Sequence, residues 1–158
     1  MQFETAVRVL CDAGVEFVVI GGLSATLHGS ARVTYDLDIC YSRTIGNLRR
    51  LAVALAPFHP RPRGFPPDLP FVWDEVTLRN GTVFTLQTDL GELDLLAEVA
   101  GLGDFDEVRR QSISVDAFER LIATLDLPAL IRSKRAAGRE KDLAALVELE
   151  SLLDAGEL

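Results

Sequence analysis

Cysteine is scarce in this chain: Cys11 and Cys40 are the only two among 158 residues. A disulfide-stapled secreted scaffold needs more bridges than one pair can make. Both cysteines lie in apolar-rich segments, which suits reduced core thiols and a cytoplasmic location. Long hydrophobic runs are also missing, since none approaches the ~20 residues that span a bilayer. The Met-Gln-Phe-Glu-Thr start lacks the basic residues and apolar stretch of a signal peptide. Positive charge is in the minority, with 16 basic against 24 acidic residues and a formal net charge of −8. Broad, nonspecific nucleic-acid binding relies on Lys and Arg to neutralise phosphates and is disfavoured, although a local basic patch is compatible with this balance. No Gly-x-Ser-x-Gly elbow and no Gly-Lys-Ser/Thr phosphate loop occurs, which excludes the usual hydrolase and P-loop readings. His28, His59 and the two cysteines lack zinc-ligand spacing. What remains is an ordinary globular balance, 48% hydrophobic and 25% charged, in a length that suits one domain over residues 1–158.

Apolar residues at Phe3, Ala6, Val7 and Leu10 predict a helix over Phe3–Ala13, stopped by Gly14. Val15–Ile20 is β-branched and apolar, as in a buried strand, and Gly21-Gly22 then opens a helix over Leu23–His28. Tyr35–Tyr41 alternates, opposing Leu37 and Ile39 to Asp36, Asp38 and Cys40. Thr44 caps an expected helix over Ile45–Ala56. Residues Pro57–Pro70 hold six of the seven prolines and predict a stiff surface loop. Thr82–Thr88 and Glu92–Leu96 predict a hairpin turning at Asp89-Leu90-Gly91. Gln111–Val115 and Phe118–Thr124 predict another, turning at Asp116-Ala117, with a helix as the alternative for its second half. From Leu127 the pattern is helical, with Pro128 in the first turn and Gly138 as a break. The final helix, Glu140–Leu153, carries a stripe of Leu143, Leu146, Val147, Leu149 and Leu153. These elements add up to an α+β fold: a mixed β-sheet flanked by α-helices, with helices 127–153 packed on it.

The stretch Tyr35-Asp36-Leu37-Asp38 carries the clearest chemistry. Strand residues two apart project to one side, so Asp36 and Asp38 present two carboxylates together. Their repulsion calls for a cation, and magnesium favours carboxylates, water and substrate phosphates. The glycines at 21 and 22 allow phosphate to approach the backbone at a helix start. The plain alternative for the pair is the solvated face of an edge strand. Asp is disfavoured in strands, however, and two flanking Leu37 ask for a reason. Asp94 in Glu92-Leu93-Asp94-Leu95 completes a carboxylate triad if its strand lies beside Tyr35–Tyr41, with Glu92 as the competing third acid. Five of the 16 basic residues, Arg132, Lys134, Arg135, Arg139 and Lys141, cluster near the C-terminus and suit an anionic ligand. A solvated helix face is the plain alternative for that cluster. His28 suits packing or a hydrogen bond, His59 has no evident partner, and Trp73 suits filling space at the core's edge.

The order Gly-Gly, Arg-x-Thr-x-Asp-x-Asp and a later Leu-Asp-Leu resembles the DNA polymerase beta superfamily of nucleotidyltransferases. More narrowly, the chain resembles the minimal bacterial proteins related to AbiEii and MenT toxins, whose closing motif is similar to the run from Leu130 to Asp142. This resemblance extends over roughly Phe17–Leu149. It implies a metal-binding pair at Asp36 and Asp38 and a base-like acid at Asp94, all three around Mg²⁺ or Mn²⁺. It further implies nucleotide contacts from Gly21, Gly22, Arg32, Thr34, Lys134, Arg139 and Lys141, with Asp142 fixing one of the basic residues. The implied activity is transfer of a nucleoside monophosphate from a nucleoside triphosphate to an acceptor hydroxyl. A tRNA 3′ end or a protein hydroxyl is the implied acceptor, with the chain as a toxin opposed by an antitoxin. The same residues also suit a nucleotide-binding module without turnover or a protein-interaction domain.

Overall fold

The structure, a computed structural model, describes residues 1–156 of the chain, and the last two residues of the expected 1–158 domain lie outside that range. In chain order the elements are α1 (Phe3–Asp12), β1 (Phe17–Ile20), α2 (Gly21–Leu27), β2 (Asp36–Tyr41), α3 (Ile45–Leu55), β3 (Arg61–Pro62), α4 (Glu75–Arg79), β4 (Val83–Thr88) and β5 (Gly91–Leu96). They continue as β6 (Glu98–Val99), β7 (Gly103–Asp104), α5 (Phe105–Arg110), β8 (Ser112–Ala117), β9 (Arg120–Leu125), α6 (Leu127–Ala137) and α7 (Glu140–Gly156). Seven strands form one sheet in the order β3-β4-β5-β2-β1-β9-β8, while β6 and β7 pair separately. The sheet is mixed. β1 runs antiparallel to β2, whereas β2–β5 and β1–β9 are parallel. Among the described residues no helix is long and apolar enough to cross a membrane.

Period-2 alternation in the strands gives the sheet two faces with different cover. Leu37, Ile39, Leu93 and Leu95 point to the face where Leu10 of α1, Leu48 and Leu51 of α3 and Leu78 of α4 pack. Val18, Ile20 and Cys40 point to the other face, under Val108 of α5, Leu130 of α6 and Leu149 of α7. Asp36, Asp38 and Asp94 belong to this second face by the same alternation, so its acidic end continues its apolar end. Thr124 on β9 is fully buried and stays satisfied by donating to the Val19 carbonyl at 3.1 Å and pairing with Ser24 Oγ at 2.7 Å, which ties α2 to the sheet.

Local signals explain most boundaries. Gly14 sits at φ +73°, and the Gly14 and Val15 N–H groups close back on the Cys11 and Leu10 carbonyls, the Schellman ending of α1. Thr44 caps α3 by accepting from the Asn47 N–H, and Asp126 caps α6 ahead of Pro128 by accepting from Ala129. Gly138 ends α6 at φ +65°. The proline-rich stretch is not wholly a loop, because Arg61–Pro62 adds an edge strand opposite Leu86–Gln87. Pro62 is tolerated at such an edge. Trp73 packs partly buried against the first core and donates its indole N–H to the Ala52 carbonyl at 2.9 Å.

Two further expectations need correction. The last hairpin turns at Phe118-Glu119 rather than Asp116-Ala117, pairing Ala117 with Arg120. Both turn residues have positive φ, +54° and +62°, which β-hairpins normally give to Asn or Gly. Tertiary contacts hold them there: Arg8 donates to the Phe118 carbonyl and pairs with Glu119 at 3.2 Å, and Phe118 packs on the core. The inner stripe of α7 is Asp142, Ala145, Leu146 and Leu149, while Leu143 and Val147 are 51% and 72% exposed. Ionic partners turn Asp142 inward, and they outweigh the apolar pattern. Finally, α4, α5 and the β6–β7 pair are too short for periodicity to reveal; Asp74 and Asp104 cap the two helices.

Candidate active site

Parallel pairing of β2 with β5 sets Asp36 opposite Glu92 and Asp38 opposite Asp94. Adjacent strands lie ~4.8 Å apart, so this register brings the acids together. Carboxylate oxygens of Asp36, Asp38 and Asp94 all lie within 4.8 Å of one another. Glu92 stands beside them, off the cluster. Desolvation by burial and the negative charges of Asp36 and Asp94 push Asp38 up to about 8. Burial also raises Asp94, against the opposing pull of Arg63. Asp38 Oδ1 is buried and has no hydrogen-bond partner among the described residues.

The glycine pair is explained by close packing. Gly21 has φ +64°, and a Cβ added there would lie 2.2 Å from Asp38 Oδ2. A Cβ on Gly22 would lie 2.4 Å from Thr34 Oγ1. The room left by the two missing side chains is therefore occupied by Asp38 and Thr34. Because α2 has only seven residues, its dipole is short, and what it offers an anion is chiefly its uncapped first N–H groups.

A cavity of about 280 Å³ opens above the acids, lined by Asp36, Asp38, Asp94, Gly22, Arg32, Thr34, Tyr35, Lys134, Arg139 and Lys141. A smaller recess of about 180 Å³ lies under α6, where Gly21, Ser133 and Ala137 meet Asp38 and Asp94. All ten candidate residues thus border one or both spaces. Asp142 is fully buried and binds two of the cations, Lys134 at 3.5 Å and Arg139 through bonds of 2.6 and 3.3 Å. Burial would raise the Asp142 carboxyl, but Arg139 and Lys134 outweigh it and hold it low. Asp142 in turn raises Arg139, so the guanidinium stays charged beside the acids.

Three features escape sequence reasoning. Arg63, from the proline-rich segment, bonds Asp94 Oδ1 at 2.8 Å and approaches Glu92 at 3.7 Å. Glu148 of α7 accepts from Ser30 Oγ and, at 3.1 Å, from the Ala31 N–H, tying down the segment that leads into β2. Tyr35 lines the main cavity and is 74% exposed. Each depends on contacts between residues at least 29 positions apart or on exposure, which motif spacing does not encode. His28, by contrast, bonds the Leu125 carbonyl as a packing histidine does, and His59 finds a partner in Asp89 at 2.6 Å.

No family model and no curated protein matches the sequence. Among solved structures, the chain is similar to the lincosamide antibiotic adenylyltransferase LnuA with lincomycin bound, with a TM-score of 0.63 and 14% identity over 96% of each chain. It is also similar to a proposed nucleotidyltransferase from Thermotoga maritima, with a TM-score of 0.61 and 16% identity over 94% of this chain and 90% of that one. Identity this low speaks to fold alone, and the narrower AbiEii and MenT likeness rests on sequence motifs. With its mixed sheet, flanking helices and two such neighbours, this chain has the nucleotidyltransferase fold.

Proposed function

We propose that the protein is a metal-dependent nucleotidyltransferase, moving a nucleoside monophosphate from a nucleoside triphosphate to an acceptor hydroxyl. The observation that carries this reading is the meeting of Asp36, Asp38 and Asp94 oxygens within 4.8 Å, in a cleft bordered by Arg32, Lys134, Arg139 and Lys141. The donor set fits Mg²⁺ or Mn²⁺: the oxygens are hard, and the unpartnered Asp38 Oδ1 is an acceptor that a cation satisfies. Asp36, Asp38 and Asp94 are the residues to hold the ion, which when bound polarises the α-phosphate and offsets the carboxylate charge. Lys134, Arg139, Lys141 and Arg32 orient the triphosphate and take up its charge, helped by the N–H groups at Gly21 and Gly22. Asp94, its basicity raised by burial, takes the proton of the acceptor hydroxyl. The acceptor oxygen forms a bond to the α-phosphorus. The bond from that phosphorus to the α–β bridging oxygen breaks in line, and pyrophosphate leaves with the electron pair.

For the acceptor we favour a small-molecule hydroxyl. A net charge of −8, with the cleft cations given over to the triphosphate, leaves little positive charge for a polyanionic acceptor. LnuA, which binds lincomycin, matches this chain over 96% of each. A tRNA 3′ end, with the toxin role and antitoxin implied by the sequence resemblance, is the competing reading. The test is melting with each ribonucleoside triphosphate, with and without Mg²⁺, on wild type and Asp36→Ala. Ligand at a hundred times its Kd should add about 2.7 kcal/mol to wild type and nothing to the variant. Labelled transfer to small alcohols and to tRNA then separates the acceptors. Identical melting under all conditions, with no transfer, sinks the reading.

A further inference from the structure

Arg63 stands outside every motif singled out in the sequence, yet among the described residues it is the cation bonded directly to one of the three clustered acids. Its own N–H donates to the Thr85 carbonyl at 2.8 Å, which carries the β3–β4 ladder one residue past β3. Thr85 is in register with Asp94, and Asp94 with Asp38. Arg63, Thr85, Asp94 and Asp38 therefore lie in one row across the sheet. From this position Arg63 Nη2 reaches both Asp94 Oδ1 at 2.8 Å and the Leu86 carbonyl at 3.1 Å. The side chains of Arg63 and Asp94 are 31% and 18% exposed, so water screens the bond only in part. Arg63 Nε is buried and has no hydrogen bond among the described residues, while the more exposed Glu92 carboxylate lies 3.7 Å away. Arg63 thus pairs with Glu92 at 3.7 Å and makes its shorter bond, 2.8 Å, to the acid that faces Asp38.

We propose that Arg63 is the positioning residue of Asp94 and that through it the proline-rich segment is part of the catalytic centre. This rests on the reading of Asp94 as a metal- and proton-handling group. A carboxylate turns freely about its terminal torsion. With Oδ1 held by Arg63, the plane of the group is fixed and Oδ2 is left for the metal and the acceptor proton. Hydrogen bonds from outer residues to ligating carboxylates commonly carry 10–100-fold of metal affinity or activity. The segment is suited to aiming such a group. Its prolines restrict the unfolded chain, and Arg61 Nη2 folds it back by bonding the Pro66 carbonyl at 3.3 Å.

The test is Mn²⁺ binding to the nucleotide-free protein, followed by the electron paramagnetic resonance signal of free Mn²⁺, together with steady-state kinetics. Wild type, Arg63→Gln, Arg63→Lys and Asp38→Asn are compared, each checked for folding by circular dichroism. Arg63→Gln should weaken Mn²⁺ binding about 10–100-fold and lower kcat to match, with KM for the nucleotide nearly unchanged. Arg63→Lys keeps the charge but not the planar fork, and should lie between the two. Should the glutamine variant not fold, the lysine variant decides, and wild-type affinity there overturns the proposal. Wild-type or tighter Mn²⁺ binding by Arg63→Gln also overturns it, because Arg63 would then be neutral to the ion or compete with it. Wild type that binds Mn²⁺ no better than Asp38→Asn overturns the metal reading itself, and this inference with it.

Discussion

Asp38 is a residue whose folded environment opposes its charge. Burial and two neighbouring carboxylates raise it from its ordinary value of 3.8 to about 8, so the folded state binds a proton that the unfolded chain releases. The sign follows from linkage. In chelator-treated protein, the stability contributed by the protonated form is complete below pH ~4, declines as pH rises, and is gone above pH ~8. Asp38→Asn should lack this slope and melt several degrees higher than wild type near pH 8, while losing transfer. Equal melting of the two proteins at pH 8 in the presence of chelator would contradict the assignment. Gly21 makes a second prediction at the same scale. Gly21→Ala meets both a left-handed backbone and Asp38 Oδ2 at 2.2 Å. The φ alone costs about 1–2 kcal/mol, so urea unfolding should show at least that loss, along with weaker Mn²⁺ binding as Asp38 is displaced.

At the scale of elements, the junction of α6 and α7 is held by a buried ion cluster. Asp142 is fully buried between Lys134, 18% exposed, and Arg139, 61% exposed. Removing one partner of a buried pair costs about 3–5 kcal/mol. The exposure of Arg139 discounts this, and Asp142→Ala should lose about 2 kcal/mol in urea unfolding. It should also raise KM for the nucleotide, since Lys134 and Arg139 lose the group that aims them. An unchanged KM would mean that these cations do not serve the ligand. The β2–β5 pairing is the other decisive element contact. A slip of one residue would turn Asp94 to the opposite face, so register, rather than the mere presence of acids, makes the cluster.

For the whole molecule, charge distribution bears on the acceptor. With 24 acidic and 16 basic residues, an extended RNA would be held only through the cleft cations. Binding of an RNA acceptor should therefore weaken with salt, by about 0.9 in log K per log salt for each phosphate neutralised on a duplex. A small neutral alcohol should bind with little salt dependence. Measuring KM for the preferred acceptor between low and moderate salt distinguishes these, and a steep slope would overturn the small-molecule preference.

Local chemistry alone settled a large part of this protein. Strand alternation at Leu37 and Ile39 put Asp36 and Asp38 on one side, Gly14 and Gly138 ended their helices, and Thr44 capped α3. Such signals act between residues a few positions apart and leave their mark in spacing. Where Asp94 meets Asp38 was legible only as a condition on strand order, which the sheet fulfils with β5 beside β2. The turn at Phe118-Glu119 went against local preference because Arg8 holds it from a distance, and Asp142 turned inward because Lys134 of α6 joins the nearby Arg139 in pairing with it. Arg63 was invisible because its partner lies 31 residues away and two strands across. Sequence alone determined which chemical groups the chain has and how each short segment folds. Tertiary structure decided which of them meet, because side-chain electrostatics over a few ångströms depend on register and burial that only the assembled sheet and helices define.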